Sequence, residues 1–183
     1  MASSSTMLPL GTAAPDFVLP EVTTGETVTV ADLPGDALLV MFLCRHCPFV
    51  VHVQHELAAI GRDYADRPLA IVAISANDAE AYPDDAPEGL AAQKAEVGFD
   101  FPYLHDASQE TARAYAAACT PDFFLFDADH QLAYRGQLDD SRPGSDTPVT
   151  GVDLRRAIDL VLDGRPVPEP HHPSMGCGIK WRP

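Results

Sequence analysis

An unbroken apolar run, Ala37-Leu38-Leu39-Val40-Met41-Phe42-Leu43, is followed closely by Val50, Val53, Leu57 and Ile60 at helical spacing. The run has the length of a strand covered on both faces, as in a parallel sheet. The spaced residues, with His52, His55, Glu56 and Arg62 opposite, predict an amphipathic helix over about residues 47–65. A second apolar run, Leu69-Ala70-Ile71-Val72-Ala73-Ile74, reads as the next core strand. Phe17–Pro20 and Thr27–Val30, separated by Thr24-Gly25, predict a hairpin near the N-terminus.

Beyond residue 76 the pattern weakens. Residues 77–88 combine acidic residues with Pro83 and Pro87 and read as a solvated surface loop. They lack the glycine and terminal glutamate order of a calcium-binding loop. A weak helix over about 88–97, a strand over 99–104 and a helix over about 108–118 follow. Phe123–Phe126 and Leu132–Tyr134 then predict a second hairpin, and Leu154, Ile158 and Val161 a last helix ending at Gly164. Thr150 and Asp153 have the spacing of a capping box. Residues 1–15 read as a mobile lead, 16–164 as the folded domain and 165–183 as a proline-rich tail.

With 183 residues, the chain can bury a substantial core as one domain. Its 27 acidic against 12 basic residues, a formal charge of −15, argue against nucleic acid and against an anionic membrane surface as partners. No stretch approaches the eighteen or so apolar residues of a membrane span, and the N-terminus has neither the basic nor the apolar part of an export signal. A cytoplasmic protein is therefore expected.

The chemistry concentrates at Cys44-Arg45-His46-Cys47-Pro48, a Cys-x-x-Cys between the core strand and its helix. The first amides of a helix lack internal acceptors and carry partial positive charge, which stabilises a thiolate. Cys44 is expected nearest those amides as the attacking thiol, with Cys47 one turn inward as the resolving one. Arg45 and His46, when cationic, would lower the Cys44 pKa further. Half a zinc site is the competing reading of two such cysteines, but no second ligand pair stands at usable spacing, so neither metal nor cofactor is expected. Cys119-Thr120-Pro121 precedes a sheet strand. Cys119 reads either as a small buried residue or as a third redox thiol. Cys177, between two glycines in the tail, reads either as packed, with Trp181 as anchor, or as an accessible extra thiol.

The order strand, cysteine-bearing helix, strand, helix, strand hairpin, helix is α/β, a thioredoxin-like fold with a central mixed sheet flanked by helices. In that fold a proline at position 121 presents backbone beside the thiols, so a cis Thr120–Pro121 bond is expected. Cys44-x-His46-Cys47-Pro48-Phe49-Val50, Asn77-Asp78, Tyr82-Pro83, Phe101-Pro102-Tyr103-Leu104, Thr120–Asp127, Tyr134-Arg135-Gly136 and the tail Gly176-Cys177-Gly178-Ile179-Lys180-Trp181 resemble the peroxiredoxin-like proteins of the alkyl hydroperoxide reductase/thiol-specific antioxidant group. The resemblance implies a thioredoxin-like domain with an N-terminal extension and a reactive Cys44, aligned with the first thiol of thioredoxin. In true peroxiredoxins the peroxide-reacting cysteine aligns with Cys47, after a hydroxyl residue and a proline where this chain has Cys44 and Val40.

Three functions follow as expectations. The first is thiol–disulfide exchange through Cys44 and Cys47, with a mixed disulfide to a protein or small-thiol partner. The second is reduction of a hydroperoxide with an internal disulfide as product. The third is a non-enzymatic metal-binding or redox-sensing module.

Overall fold

The computed structural model describes residues 2–183. Its centre is a five-stranded sheet in which β4 (Ala37–Phe42) lies between β5 (Leu69–Ser75) and β8 (Asp122–Phe126), with β6 (Tyr103–His105) and β9 (Leu132–Gly136) at the edges. β4 pairs parallel with β5 and antiparallel with β8, and β8 turns back antiparallel on β9. This mixed sheet, with helices on its faces, is a thioredoxin-like fold.

Every residue of β4 is buried, and its alternation explains why. Leu39 and Met41 face a cluster with Leu57 and Ile60 of α1 (Pro48–Asp63), Leu90 of α2 (Pro87–Val97), and Leu154 and Ile158 of α4 (Val152–Leu162). Leu38, Val40 and Phe42 face the opposite cluster, with Phe17, Val30, Tyr115, Phe124 and Ile179. Burying one such side chain stabilises by about 1.5–3 kcal/mol, so a run with no polar position is what a two-sided strand needs. The predicted N-terminal hairpin is present as β2 (Val18–Pro20) and β3 (Thr27–Thr29).

Several local expectations give way to tertiary contacts. Residues 2–14 are not a loose lead. Ala2–Ser4 forms β1, Leu8 and Leu10 pack on the core, and Ala13 bridges to Gln131. The tail is likewise part of the fold: β10 (Met175–Gly178) lies between β1 and β7 (Cys119–Thr120) in a separate three-stranded antiparallel sheet. The helix expected over 108–118 shrinks to α3 (Glu110–Ala114). No capping box starts α4, because Gly151 takes the N-cap position at φ +64° and the Asp139 carboxylate accepts the Thr150 and Gly151 amides at 2.7 and 2.6 Å. Asp153 instead accepts from the Gln137 amide at 2.8 Å.

Among the described residues no helix is long and apolar enough to cross a membrane.

Candidate active site

The thiols meet where β4 ends and α1 begins. Pro48 is the first residue of α1 and Cys47 its N-cap, with extended backbone (φ −75°, ψ 123°). Proline suits this first helical position because its missing N–H is one of the unbonded amides anyway. Cys47, not Cys44 as expected, is therefore the cysteine nearest the free amides. Cys44 sits one turn earlier at the base of the site, fully buried.

The surroundings of Cys47 favour its thiolate. The hydrogen bond from the Cys44 thiol is the largest influence. Burial opposes it, while the Cys177 thiol and the Val50 and Cys177 amides add further donors. The Val50 amide acts on the sulfur without closing a tight cap hydrogen bond. The Thr120 carbonyl, 3.3 Å from Cys47 Sγ, is the one contact that favours the protonated form. Donors outweigh it, so the Cys47 pKa lies well below the ordinary thiol range. Cys44 is pushed the opposite way, first by its neighbour Cys47, then by burial and by the Asp85 carboxylate. Its sulfur lies 3.0 Å from Thr120 Oγ1.

Cys177 completes the group. Thr120 pairs with Cys177 in the β7–β10 ladder, which brings Cys177 Sγ to 2.6 Å from Cys47 Sγ with all four cysteines free. Burial, followed by the adjacent Cys47 sulfur, pushes the Cys177 pKa up to about 11. Of the four cysteines, Cys177 alone is partly exposed. The β10 strand lies flat on the Thr120–Pro121 backbone because position 176 is glycine: a Cβ there would run into the Thr120 carbonyl. The Thr120–Pro121 bond is cis.

Cys119 is separate from this group. It is fully buried, its sulfur faces the carbonyls of Pro121 and Ser174, and burial together with Asp122 raises its pKa far above the ordinary value. It packs as a small apolar residue.

Arg45 and His46 are engaged elsewhere. The Arg45 guanidinium donates to Gly89 O at 2.8 Å and pairs with Glu96 at 3.3 Å. His46 stacks on Tyr82 and brings Nδ1 to 2.6 Å from Asp85 Oδ2, off the axis of an aligned hydrogen bond. Asp85, expected in a solvated loop, is fully buried. Its carboxylate accepts the Arg45 amide and the Asn77 side-chain amide, both at 2.7 Å. Cys44, His46 and Asp85 each offer a metal-ligating atom within 4.8 Å of the others. Because the Asp85 oxygens are already engaged by these donors and by His46, the cluster reads as a polar network bracing the Cys44–Cys47 turn.

Asn77 and Gln109 hold the tail beyond β10. Asn77 Oδ1 accepts the Lys180 amide at 2.8 Å, and the Gln109 side chain donates to Lys180 O at 2.9 Å and accepts the Arg182 amide at 2.9 Å. Trp181 lies under the Arg113 guanidinium, 4.4 Å from its ring centroid. Asn77 and the tail residues Lys180 and Trp181 fall in segments that carry the family resemblance, but Gln109 falls in the stretch read as a helix and nothing in the sequence marks it as a partner of the tail.

Residues 10–135 match the model of the AhpC/TSA family. The chain belongs to that family. No functionally curated protein matches it. Among solved structures, an uncharacterized conserved protein of Geobacillus kaustophilus is 53% identical, covering all of this chain and 97% of that one, with a TM-score of 0.98. A hypothetical protein of Sinorhizobium meliloti 1021 is 50% identical, covering 98% of each chain, with a TM-score of 0.96. A putative thiol:disulfide interchange protein of Chlorobium tepidum shares the fold at 23% identity and a TM-score of 0.63, covering 85% of this chain and 99% of that one. This AhpC/TSA chain is a redox enzyme of the thioredoxin superfamily.

Proposed function

We propose that the chain is a thiol peroxidase in which Cys47 is the peroxide-reacting residue. The observation that carries this reading is the environment of Cys47, an N-cap sulfur surrounded by donors and lying 2.6 Å from a second free thiol. The Cys47 thiolate attacks the terminal oxygen of a hydroperoxide, the O–O bond breaks, and the departing alkoxide or hydroxide takes a proton to leave as alcohol or water. Cys47 is left as a sulfenic acid. The Cys177 thiol attacks that sulfur, releasing water and forming a disulfide; an external dithiol returns two electrons and two protons.

Cys44 does the work of the hydroxyl residue that peroxiredoxins carry three positions before their reactive cysteine. Its S–H donates to Cys47 and holds the negative charge there. It is a positioning residue in this step, oriented by Thr120 Oγ1. Because Cys47 is fully buried and Cys177 lies at the partly exposed edge, the peroxide must reach Cys47 past the β10 segment. The activity belongs to a reducing compartment such as the cytoplasm, where an external thiol can return the enzyme to its free-thiol form.

Stopped-flow consumption of hydrogen peroxide tests the reading. The reduced protein should react at least a hundredfold faster than a free thiol at the same pH, and Cys47→Ser should abolish the difference. A wild-type rate no better than that of a free thiol would overturn it.

A second reading, thiol–disulfide exchange through the Cys44-x-x-Cys47 pair, is favoured by the position of that pair at the start of α1 and by the Thr120 carbonyl beside Cys47. With Cys47 as the attacking thiolate and Cys177 also within reach of it, the double variant Cys44→Ala/Cys177→Ser should trap mixed disulfides on Cys47. Failure to capture a thiol partner under oxidising conditions would remove that reading.

A further inference from the structure

The three site sulfurs form a chain with Cys47 in the middle. Cys177 Sγ lies 2.6 Å from it on the tail side, and Cys44 is its partner in the Cys-x-x-Cys turn, both leaning on Thr120, so Cys47 can join either neighbour but not both at once. The two disulfides have different consequences. One ties β10 covalently to the start of α1, and the other closes within a single turn and leaves β10 held only by backbone pairing and packing. We infer that Cys44 is a second resolving thiol, which attacks Cys47 in the Cys47–Cys177 disulfide and passes the oxidation to a Cys44–Cys47 disulfide, untying the C-terminal strand.

Thiol–disulfide exchange requires the attacking sulfur, the attacked sulfur and the leaving sulfur to lie in sequence. The sulfurs are gathered for it: Cys47 Sγ lies 2.6 Å from Cys177 Sγ, and Cys44, three residues before Cys47, leans on the same Thr120, with its sulfur 3.0 Å from Oγ1 while Cys47 Sγ is 3.3 Å from the carbonyl. Cys44–S⁻ bonds to Cys47 Sγ, the Cys47–Cys177 bond breaks, and the thiolate of Cys177 takes up the proton that Cys44 gave away. No oxidant or reductant is consumed in the step.

The charge around Cys44 supplies the timing. While Cys47 is a thiolate, accepting the Cys44 proton is the first reason that Cys44 stays protonated, ahead of burial and the Asp85 carboxylate. Once Cys47 is in a disulfide that acceptor is gone; burial and Asp85 still favour the thiol, and the Thr120 hydroxyl remains beside Cys44. Cys44 therefore ionises more readily after Cys47 has been oxidised than before. Exchange also moves the oxidised pair away from the tail and returns a free thiol to Cys177, the partly exposed position.

This inference rests on the Cys47–Cys177 couple of the proposed function but not on peroxide as its oxidant, and the test separates the two. Reduced full-length protein is oxidised with one equivalent of hydrogen peroxide or, in parallel, of diamide, a two-electron dithiol oxidant that transfers no oxygen. Samples are acid-quenched over time, alkylated and mapped by mass spectrometry. The expected sequence in the wild type is Cys47–Cys177 first, then Cys44–Cys47 with Cys177 free; Cys44→Ser should stop at Cys47–Cys177. Amide exchange over Met175–Gly178 should be at least tenfold slower in the first disulfide than in the second. A wild-type Cys47–Cys177 disulfide that persists with Cys44 free would overturn the relay. So would a Cys44–Cys47 disulfide that forms without the other preceding it. If diamide gives the ordered sequence while peroxide reacts no faster with the protein than with a free thiol, the peroxidase reading falls and the relay stands. Fast peroxide reaction without that order does the reverse.

Discussion

Cys44 and Cys47 share a sequence motif but have opposite protonation preferences, and what divides them is one residue of helix register. Pro48 at the first helical position makes Cys47 the N-cap, so the donors converge on its sulfur. An ordinary thiol, with a pKa of about 8.5, is mostly protonated at neutral pH. The reduced protein should instead show one thiolate equivalent at pH 7 by absorbance at 240 nm, lost in Cys47→Ser. Removing the principal donor by Cys44→Ala should move the titration midpoint up by about 1–2 units, the worth of one charge-assisted hydrogen bond. An unchanged midpoint would deny Cys44 its positioning role. Asp122 shows the opposite logic. Burial raises its pKa from 3.8 to about 6, despite hydrogen bonds from Ser5 and the Ala118 amide. A raised folded-state pKa stabilises fully below the unfolded value and loses that contribution as pH rises through the folded one. Relative to Asp122→Asn, the wild type should thus lose about 3 kcal/mol of stability between about pH 4 and pH 7. Urea denaturation at several pH values checks this, and parallel stability curves would refute it.

At the scale of elements, β10 decides whether the site is covered. Its glycines differ in a way that gives a controlled test. A Cβ on Gly176 collides with the Thr120 backbone, whereas the nearest atom to one on Gly178 is Ser3 Cβ at 3.8 Å. Gly176→Ala should cost about 1–3 kcal/mol through overpacking and lift the strand, with Cys47 alkylated by iodoacetamide at least tenfold faster. Gly178→Ala on the same strand should leave alkylation within about twofold. Equal rates in the two variants would show that β10 does not cover Cys47. The same strand marks the limit of what sequence reasoning reaches. β4, α1, β5 and both hairpins are legible because runs and periods along the chain reflect local burial on a sheet or helix face. The position of Cys177 is not, because it is set by the register of β10 on β7, a pairing between residues 57 positions apart at Thr120 and Cys177. Asp85 is missed for a related reason: an acidic, proline-rich segment carries the composition of a solvated loop, and only tertiary donors explain its burial. That Cys47 and not Cys44 is the cap is legible in the sequence itself, since proline at a first helical position leaves the preceding residue as the cap.

The whole molecule wraps both chain ends around the redox site. β1 from the N-terminus and β10 from the C-terminus pair with each other, and β10 lies on the strand that precedes Pro121. The chain between Cys47 and Cys177 contains α1, β5 to β9 and α4, and the chain between Cys44 and Cys47 only a turn, so the two alternative disulfides differ in what they constrain. A Cys47–Cys177 bond spans 130 positions. By loop entropy it should restrict the unfolded chain by about 5 kcal/mol, against under about 2 kcal/mol for the short Cys44–Cys47 loop. Native packing already places the Cys47 and Cys177 sulfurs in contact, so closing that bond asks little rearrangement of the fold. Oxidised Cys44→Ser, confined to the long-range disulfide, should therefore gain several kcal/mol over its own reduced form in guanidinium denaturation, whereas oxidised Cys177→Ser, confined to the short one, should gain about 2 kcal/mol or less. Comparing each variant with its own reduced state removes the effect of the substitution itself. Equal gains would mean that the oxidised tail does not tie the ends of the molecule together, and that the redox state of Cys47 leaves global stability untouched.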